Sequence, residues 1–597
     1  MGELRPLVGP LIEAMTTNEL FEAAVEVMID ILSNYSDFLT QDHCATLHSL
    51  LESPWSRERY RRLVVDGDFD FDSTQFGHLL LAFGDAKMDA LMQDNSGRSN
   101  DILSSICGLL GAPEPPVADN KIFVPAVEFW SSFIEVMTDT VYSEDASNRD
   151  WARKSMDLVF RAISLSWEKI IYPPPDIFNS WDSADRVGFM DARKDVADLL
   201  QASFTLLGPR LVSMFVDAML KCLGEASWAH LEAVAFCLGA LADCLCGDGD
   251  NDALLEPVFS PMLFNAIAPS HKAMPSRTRQ TCSSLIEKYA EYFERHPSVL
   301  PHALNLLFTI LGDPQMAPTA SKSIHSLCCS CRAHLGTEVG AFMHQYEGLA
   351  SAQVLDCSTS ERIIGAVAAV LQSLDREEER ASGLRCLLGF VNDDVRRSCE
   401  MAAAPGAAQG TQPCIKADRC ALGGPGIDPA LHVALRGLRC LVSMGKGLQA
   451  PIDGPVDLES EGGFASLSPQ KDSTMWQLQE TVMAMVMQIR ETFPSSGEVV
   501  ETICNMLRTG FSETGPGLFV LEPEKVCNYL TSHGLGVPRI GGVVSTACSF
   551  ICSLSTRAST AGSLEGIRAN MLSWVISILQ QLPSRPIPSS VLELAIS

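Results

Sequence analysis

The densest group of potential metal ligands in this chain is His325, Cys328, Cys329, Cys331 and His334. These are the residue types that hold zinc when four of them converge tetrahedrally. On a helix, at about 100° per residue, Cys328 and Cys331 share the apolar stripe with Ile324. His325 and Cys329 fall on a neighbouring face, and His334 follows Cys331 on the core side. No Gly or Pro interrupts the segment to fold four ligands together, so the thiols read as small buried hydrophobes. Cys244 and Cys246 beside Asp248 have no better ligand set. Asp248-Gly249-Asp250-Asn251-Asp252 starts like a calcium loop, but Ala253 and Phe259 stand where an EF-hand needs Gly and a bidentate Glu. It reads as an acidic turn between helices. Gly445-Lys446-Gly447 lacks the upstream glycine and the Ser/Thr of a phosphate loop, and no GxGxxG, GxSxG or HExxH occurs. The expectation is a chain with no catalytic, metal or cofactor site, and not an enzyme.

Two charged runs remain. Asp66-Gly67-Asp68-Phe69-Asp70-Phe71-Asp72 suits a helix N-terminus, where carboxylates satisfy free amides. Its interleaved phenylalanines leave a contact surface as the alternative. Arg57, Arg59, Arg61 and Arg62 accompany a single tyrosine and acidic neighbours, the pattern of a solvated helix face rather than a nucleic-acid patch.

The elements carrying these residues have one recurring form, an amphipathic helix, a tight turn and a second amphipathic helix. The clearest example runs from His296 to Leu335. Leu300, Ala303, Leu304, Leu307, Phe308 and Leu311 recur at steps of three and four. Gly312-Asp313-Pro314 turns the chain, and Ala317, Ala320, Ile324, Leu327, Cys328, Cys331 and Leu335 repeat the spacing. One such pair cannot bury its own apolar faces and must stack on others like it. No run of alternating β-branched and aromatic residues suggests a strand. The predicted fold is therefore all-α, an α-solenoid (superhelix) of stacked HEAT-type helix pairs. At roughly 40–47 residues per unit, about 12–14 units fit the chain.

Residues 1–401 read as central repeats and 472–597 as later repeats. Between them, Ala402 to Pro429 and Gln449 to Lys471 are rich in Gly, Pro, Ser and polar residues, too poor in apolar content to offset ordering. They read as mobile insertions flanking one helix, 430–446. Repeat-like periodicity starts at Leu7, Leu11, Ile12 and Met15 and continues at Leu20, Ala24, Val27, Met28, Ile31 and Leu32, with no polar capping repeat ahead of it. The corresponding expectation is that the natural first repeats are missing.

With 44 Lys+Arg against 73 Asp+Glu, the formal charge is −29. Such a surface repels phosphate backbones and anionic lipid, so neither direct nucleic-acid binding nor membrane insertion is expected. It attracts basic proteins, although solubility alone explains the charge equally well. The densest acidic turns, Asp248, Asp250 and Asp252, and Asp375 with Glu377, Glu378 and Glu379, are the candidate protein-binding residues, solvated loop tips being their bland alternative. Twenty cysteines spread over apolar helix faces, after an opening Met1-Gly2-Glu3-Leu4-Arg5-Pro6 without a signal-peptide pattern, fit reduced thiols in the cytosol or nucleus.

Ser227-Trp228-Ala229-His230-Leu231-Glu232-Ala233, running on to Leu241-Ala242-Asp243, resembles the S-W-x-x-x-E-A helix of importin-β-type nuclear transport receptors (karyopherins), in the importin thirteen and transportin three branch. Glu128-Phe129-Trp130, Trp181-Asp182-Ser183 to Leu207-Gly208, and His296-Pro297-Ser298-Val299 to Gly312-Asp313-Pro314 agree in order, and Met475 to Leu507 is similar to the later repeats. The resemblance implies a curved HEAT superhelix that binds protein cargo on its inner face. Such a receptor carries cargo past nuclear pore proteins, shuttling between nucleus and cytoplasm under control of the GTPase Ran. Two departures bear on this. The family's N-terminal repeats, its main Ran-gripping surface, have no counterpart, so Ran-GTP binding is expected to be weakened. From Asp472 onward the cations Arg490, Arg508, Lys525, Arg539, Arg557, Arg568 and Arg585 are widely spaced. The arginine-rich helix with which transportin-three-like receptors read phosphorylated Arg-Ser domains is therefore missing, which favours the importin thirteen side. The competing class is a static HEAT scaffold of a multi-subunit complex.

Overall fold

The computed structural model describes residues 2–94, 98–117, 120–144, 150–245, 247, 249–270, 273–352, 355–403, 428–450, 473–511, 513, 517–556 and 561–581. The described residues form helices joined by turns and contain no strand, as the sequence predicts. Most of the two insertions lies outside them, so the mobility expected there does too. The chain divides into two compact units, Met1–Tyr289 and Ala290–Ser597.

In the first unit, helix Phe21–Asn34 packs on Phe71–Ala86, which packs on Phe123–Glu144. That helix packs on Ser183–Leu207, followed by Trp228–Ala240 and Ser276–Lys288. Helices Arg98–Leu109, Asp150–Lys169 and Pro209–Glu225 cover the flank of this row. In the second unit the row is Ala317–Ser330, Cys357–Gln372, Pro429–Gly447, Gly497–Thr509 and Ile540–Thr556, flanked by Val339–Ser351, Glu377–Ala403, Thr474–Thr492 and Pro523–Thr531. Among the described residues the main helix contacts run between neighbours in each stack, the defining economy of a solenoid. Helix Pro429–Gly447, placed by the sequence between the insertions, is a full member of its row, with Val433, Ala434, Leu438, Leu441 and Met444 buried.

Local signals set the boundaries. Asp70, Asp182, Asp356, Ser473 and Ser496 each accept a backbone N–H of the first helical turn, the role their short polar side chains suit best. Pro209 and Pro523 stand at helix starts, where a missing N–H costs nothing. Gly208 joins two long helices directly with φ +47°, a conformation that side chains disfavour.

The repeat at Leu300 to Leu335 matches its sequence pattern, with Leu300, Leu304, Leu307, Leu311, Ile324, Leu327, Cys328 and Leu335 all buried. One detail differs. The second helix stops at Ser330 without Gly or Pro, and Arg332 to His334 form a 3-10 turn. Arg332 supplies the stop, its Nε–H donating to the Cys329 carbonyl at 2.9 Å and Nη1 to Gln372 at 3.2 Å. The chain's first stripe differs as well. Leu7, Leu20 and Val27 are about half exposed, while Val8, Ile12, Met15, Phe21, Ala24, Val25 and Met28 carry the burial.

Candidate protein-binding surface

The S-W-x-x-x-E-A helix owes its pattern to a buried ion pair. Glu232 is 4% exposed and Arg193 1%. Their charged groups lie 2.9 Å apart, and Thr281 Oγ1 donates to the same Glu232 oxygen at 2.9 Å. Arg193 also donates to the Ile170 carbonyl at 2.5 Å and lies over the rings of Tyr172 (4.5 Å) and Phe236 (4.2 Å). Three successive helices of the row, Ser183–Leu207, Trp228–Ala240 and Ser276–Lys288, are thereby pinned through one carboxylate. This glutamate holds the repeat together and is closed to a partner.

The basic and acidic runs that the sequence presents separately are partners. Arg61 pairs with Glu58 at 2.8 Å and with Asp66 at 2.5 Å, and Arg62 pairs with Asp68 at 2.5 Å and Asp70 at 2.9 Å. Asp70 also caps helix Phe71–Ala86, accepting from the Ser73 N–H at 2.7 Å, as its N-terminal position implies. The solvated-face reading of the arginines fails at Arg59. It is buried, with its guanidinium 3.6 Å from the Phe21 ring centre and 5.2 Å from that of Trp55. Its alkyl stem and planar head fill a gap between aromatics, a use periodicity does not reveal.

Of the acidic turns chosen from sequence, Asp248 lies outside the described residues. Asp250 is exposed, and Asp252 opens the short helix Asp252–Leu255. Asp375 is exposed ahead of helix Glu377–Ala403, and Glu377, Glu378 and Glu379 form that helix's first turn, with Glu379 2.9 Å from Arg376. The two groups belong to different compact units.

The structure brings together another set. Asp85 on helix Phe71–Ala86, Glu128 on Phe123–Glu144, and Asp191, Asp195 and Asp198 on Ser183–Leu207 lie on three adjacent helices of the first row. Their mutual influence is visible in their acidities. Partial desolvation of Asp85, which keeps an exposed edge, together with the Glu128 charge raises its carboxyl to about 6. Burial, then the charges of Asp198, Glu128 and Asp191, raise that of Asp195, with Lys194 opposing. Among the described residues none of the five forms a salt bridge. Stacked carboxylates that outnumber the neighbouring Lys194 give a net negative field that several Lys or Arg side chains of one partner can neutralise together. The sequence carries part of this signal, because Asp191, Asp195 and Asp198 sit at steps of four and three on one helix face. Glu128 adjoins the buried Phe129 and Trp130, which drew attention to themselves instead.

The sign of the pH effect follows. Folding raises the Asp85 pKa above its ordinary value, so the native state holds that proton more tightly. The stabilising contribution is present below about pH 4 and is lost as pH rises through about 6. Asp85→Asn is expected to raise the melting temperature at pH 7.5 and leave it nearly unchanged at pH 4, measured by thermal unfolding at both values. An effect larger at pH 4 would contradict the assignment.

Cys328 and Cys331 are fully buried. Burial drives the Cys328 thiol well up and pushes Cys331 up to about 12, so both stay protonated at neutral pH and are poor metal ligands. Cys331 points its thiol at the Ala290 carbonyl, 3.8 Å away. Replacing both with alanine is expected to cost about 1–2 kcal/mol of stability with no change in metal content. Zinc at one equivalent in the purified protein, lost in the double variant, would overturn the packing role.

Comparison with known proteins agrees with this architecture. Residues 263–345 match a family model described as the Transportin-3/Importin-13 third TPR domain. The chain is 27% identical to Importin beta-like protein kap111 of Schizosaccharomyces pombe over 531 residues, 87% of this chain and 50% of that protein. It is 20% identical to human Importin-13 over 386 residues, 63% of this chain and 38% of that protein. Among solved structures, Importin13 in its cytosolic state superposes with a TM-score of 0.74 at 15% identity, covering 97% of this chain and 63% of that one. Importin Beta crystallised in polyethylene glycol gives 0.53 at 14% identity, covering 96% and 67%. The chain spans about half the length of kap111 and less of Importin-13.

Proposed function

We propose that this chain is a nuclear transport receptor of the importin-β family, in the branch of importin-13 and transportin-3. In this reading it binds basic protein cargo, carries it past nuclear pore proteins, and exchanges it under control of Ran-GTP while shuttling between cytoplasm and nucleus. The observation that carries the cargo chemistry is the row of unpaired carboxylates Asp85, Glu128, Asp191, Asp195 and Asp198 across three stacked helices. The acidic turns at Asp250 and Asp252, and at Asp375, Glu377, Glu378 and Glu379, would add charge for the same kind of partner.

The test is affinity capture from a nuclear extract, with and without Ran-GTP, by the wild-type chain and by Asp191→Asn/Asp195→Asn/Asp198→Asn. Basic proteins are expected on the wild type, fewer at 0.5 M salt because screening shortens the reach of exposed charges to a few ångströms. About tenfold less is expected on the triple variant. A partner set indifferent to both Ran-GTP and salt would favour a static scaffold. A set sensitive to Ran-GTP but unchanged in the triple variant would move the cargo surface elsewhere.

A further inference from the structure

Cys357 and His432, 75 residues apart, meet in the second unit, with the thiol Sγ 3.4 Å from the imidazole Nε2. Cys357 is the first residue of helix Cys357–Gln372, and His432 lies at the start of helix Pro429–Gly447, the next helix of the row. The two helices pack on each other, so the pair joins their starting ends. Cys357 is 2% exposed and His432 9%. Asp356, Ser358, Pro429 and Leu431 beside them are half-buried, which puts the pair one layer beneath the surface. Arg436, one turn beyond His432 on the same helix face, brings a positive charge. Burial pulls its pKa down, but Asp394, and after it Cys440 and Cys357, raise it above its ordinary value. Its Nε–H donates to Asp394 Oδ2 at 2.8 Å. Asp356 is the opposing charge, and it caps the helix by accepting the Thr359 N–H at 2.7 Å.

We propose that Cys357 is a peroxide-reactive thiol, with His432 as the base that takes its proton. A thiol becomes a nucleophile only as the thiolate, and an imidazole within hydrogen-bond reach is the usual means of making one. Hydrogen peroxide is scarcely larger than water, so local opening at a helix start is enough to admit it. The Cys357 sulfur attacks one peroxide oxygen and the O–O bond breaks. The departing hydroxide takes the proton held on His432, leaving a sulfenic acid and water. Sulfur gives up two electrons and peroxide accepts them. Cys440 is the contrast. It is equally buried at 2% and feels the same Arg436 charge, yet burial, then Asp394 and Glu361, drive its thiol well up. Exposure does not select for this chemistry either, since burial and Glu347 raise the exposed Cys386, and burial and Cys552 raise the exposed Cys548. Cys329 has an imidazole nearby, but its sulfur is 3.8 and 3.9 Å from the two nitrogens of His325, so neither nitrogen is aimed at it.

Oxidation of the full-length chain tests this. The protein is treated with hydrogen peroxide at neutral pH, the reaction is stopped with catalase, and the chain is unfolded in urea with excess dimedone, which couples to sulfenic acids. Mass spectrometry then reads the label at each cysteine. Because trapping follows unfolding, the access of dimedone to the folded site plays no part. Label at Cys357 is expected to exceed that at Cys440 at least about tenfold, a modest share of what a positioned base contributes. It should also exceed the label at Cys329, Cys386 and Cys548. His432→Gln keeps a hydrogen-bonding side chain that cannot take the proton, and it should bring Cys357 down to the level of Cys440. The comparison of Cys357 with Cys440 inside the wild-type chain needs no variant to fold. Equal label at those two thiols, more label at Cys386 or Cys548 than at Cys357, or full Cys357 reactivity in His432→Gln would each overturn the assignment.

Discussion

Replacing Glu232 with alanine is expected to cost about 3–5 kcal/mol of local stability, the usual consequence of leaving a buried charge without its partner. The Arg193 guanidinium is 1% exposed, and its Nε already lacks a hydrogen-bond partner. Without Glu232 it keeps only the Ile170 carbonyl and the two aromatic faces, and Thr281 loses its acceptor. Arg193→Leu combined with Glu232→Leu should recover most of the loss, since a buried pair replaced by apolar side chains of similar size is often neutral. Arg193→Lys should not, because an ammonium cannot reach Ile170 and Glu232 together while stacking on Tyr172. A stacked array does not unfold in one step, so the measurement is amide hydrogen exchange in helices Trp228–Ala240 and Ser276–Lys288. Removing the exposed pair Arg153–Asp150, whose side chains are 72% and 79% exposed, is the control and should have little measurable effect. Unchanged exchange in Glu232→Ala would mean the row is held by apolar packing alone.

The fold was legible because stacking leaves its mark within single helices. Leu300, Leu304, Leu307 and Leu311 declare a buried face by spacing alone, and the Gly312-Asp313-Pro314 turn declares the pair. The site was not legible for a related reason, because a face built across repeats has no local spacing. Glu232 meets Arg193 across 39 residues and Thr281 across 49. The motif could therefore be recognised, but its role could not. Asp85, Glu128 and Asp195 become neighbours only once three helices stack, whereas charge density along the chain drew attention to turns such as Glu377, Glu378 and Glu379. Arg59 shows the same limit from the other side. Its place among arginines suggested solvent, and only the tertiary position of Phe21 and Trp55 explains its burial.

Gly447→Ala is expected to destabilise the second unit by about 1–3 kcal/mol, the cost of overpacking a core that cannot yield. Gly445 and Gly447, which the sequence could describe only as an incomplete phosphate loop, are where helix Pro429–Gly447 touches its neighbours. A Cβ on Gly447 would sit 2.3 Å from the Gly365 carbonyl oxygen and 3.0 Å from the Ala369 nitrogen. Both are backbone atoms of helix Cys357–Gln372, so a rotamer change cannot relieve the clash, and the two helices must separate. Gly445→Ala meets Thr509 Oγ1 at 2.3 Å instead. Turning the hydroxyl away costs its hydrogen bond to Met506 and still leaves the Thr509 Cβ at 2.8 Å, a lesser overlap than the 2.3 Å backbone contact at Gly447, so the penalty there should be smaller but not absent. Gly389, inside helix Glu377–Ala403, has nothing within 4 Å of its added Cβ, and Gly389→Ala should stabilise by about 0.5–1 kcal/mol through a less flexible unfolded chain. The three alanine variants therefore have a predicted order and a predicted change of sign, readable from urea unfolding followed by tryptophan fluorescence and circular dichroism. Because stability in a stack passes between nearest neighbours, Gly447→Ala should also loosen amides in Cys357–Gln372. If Gly447→Ala matched Gly389→Ala, the close backbone contact could not be what sets the spacing of this row.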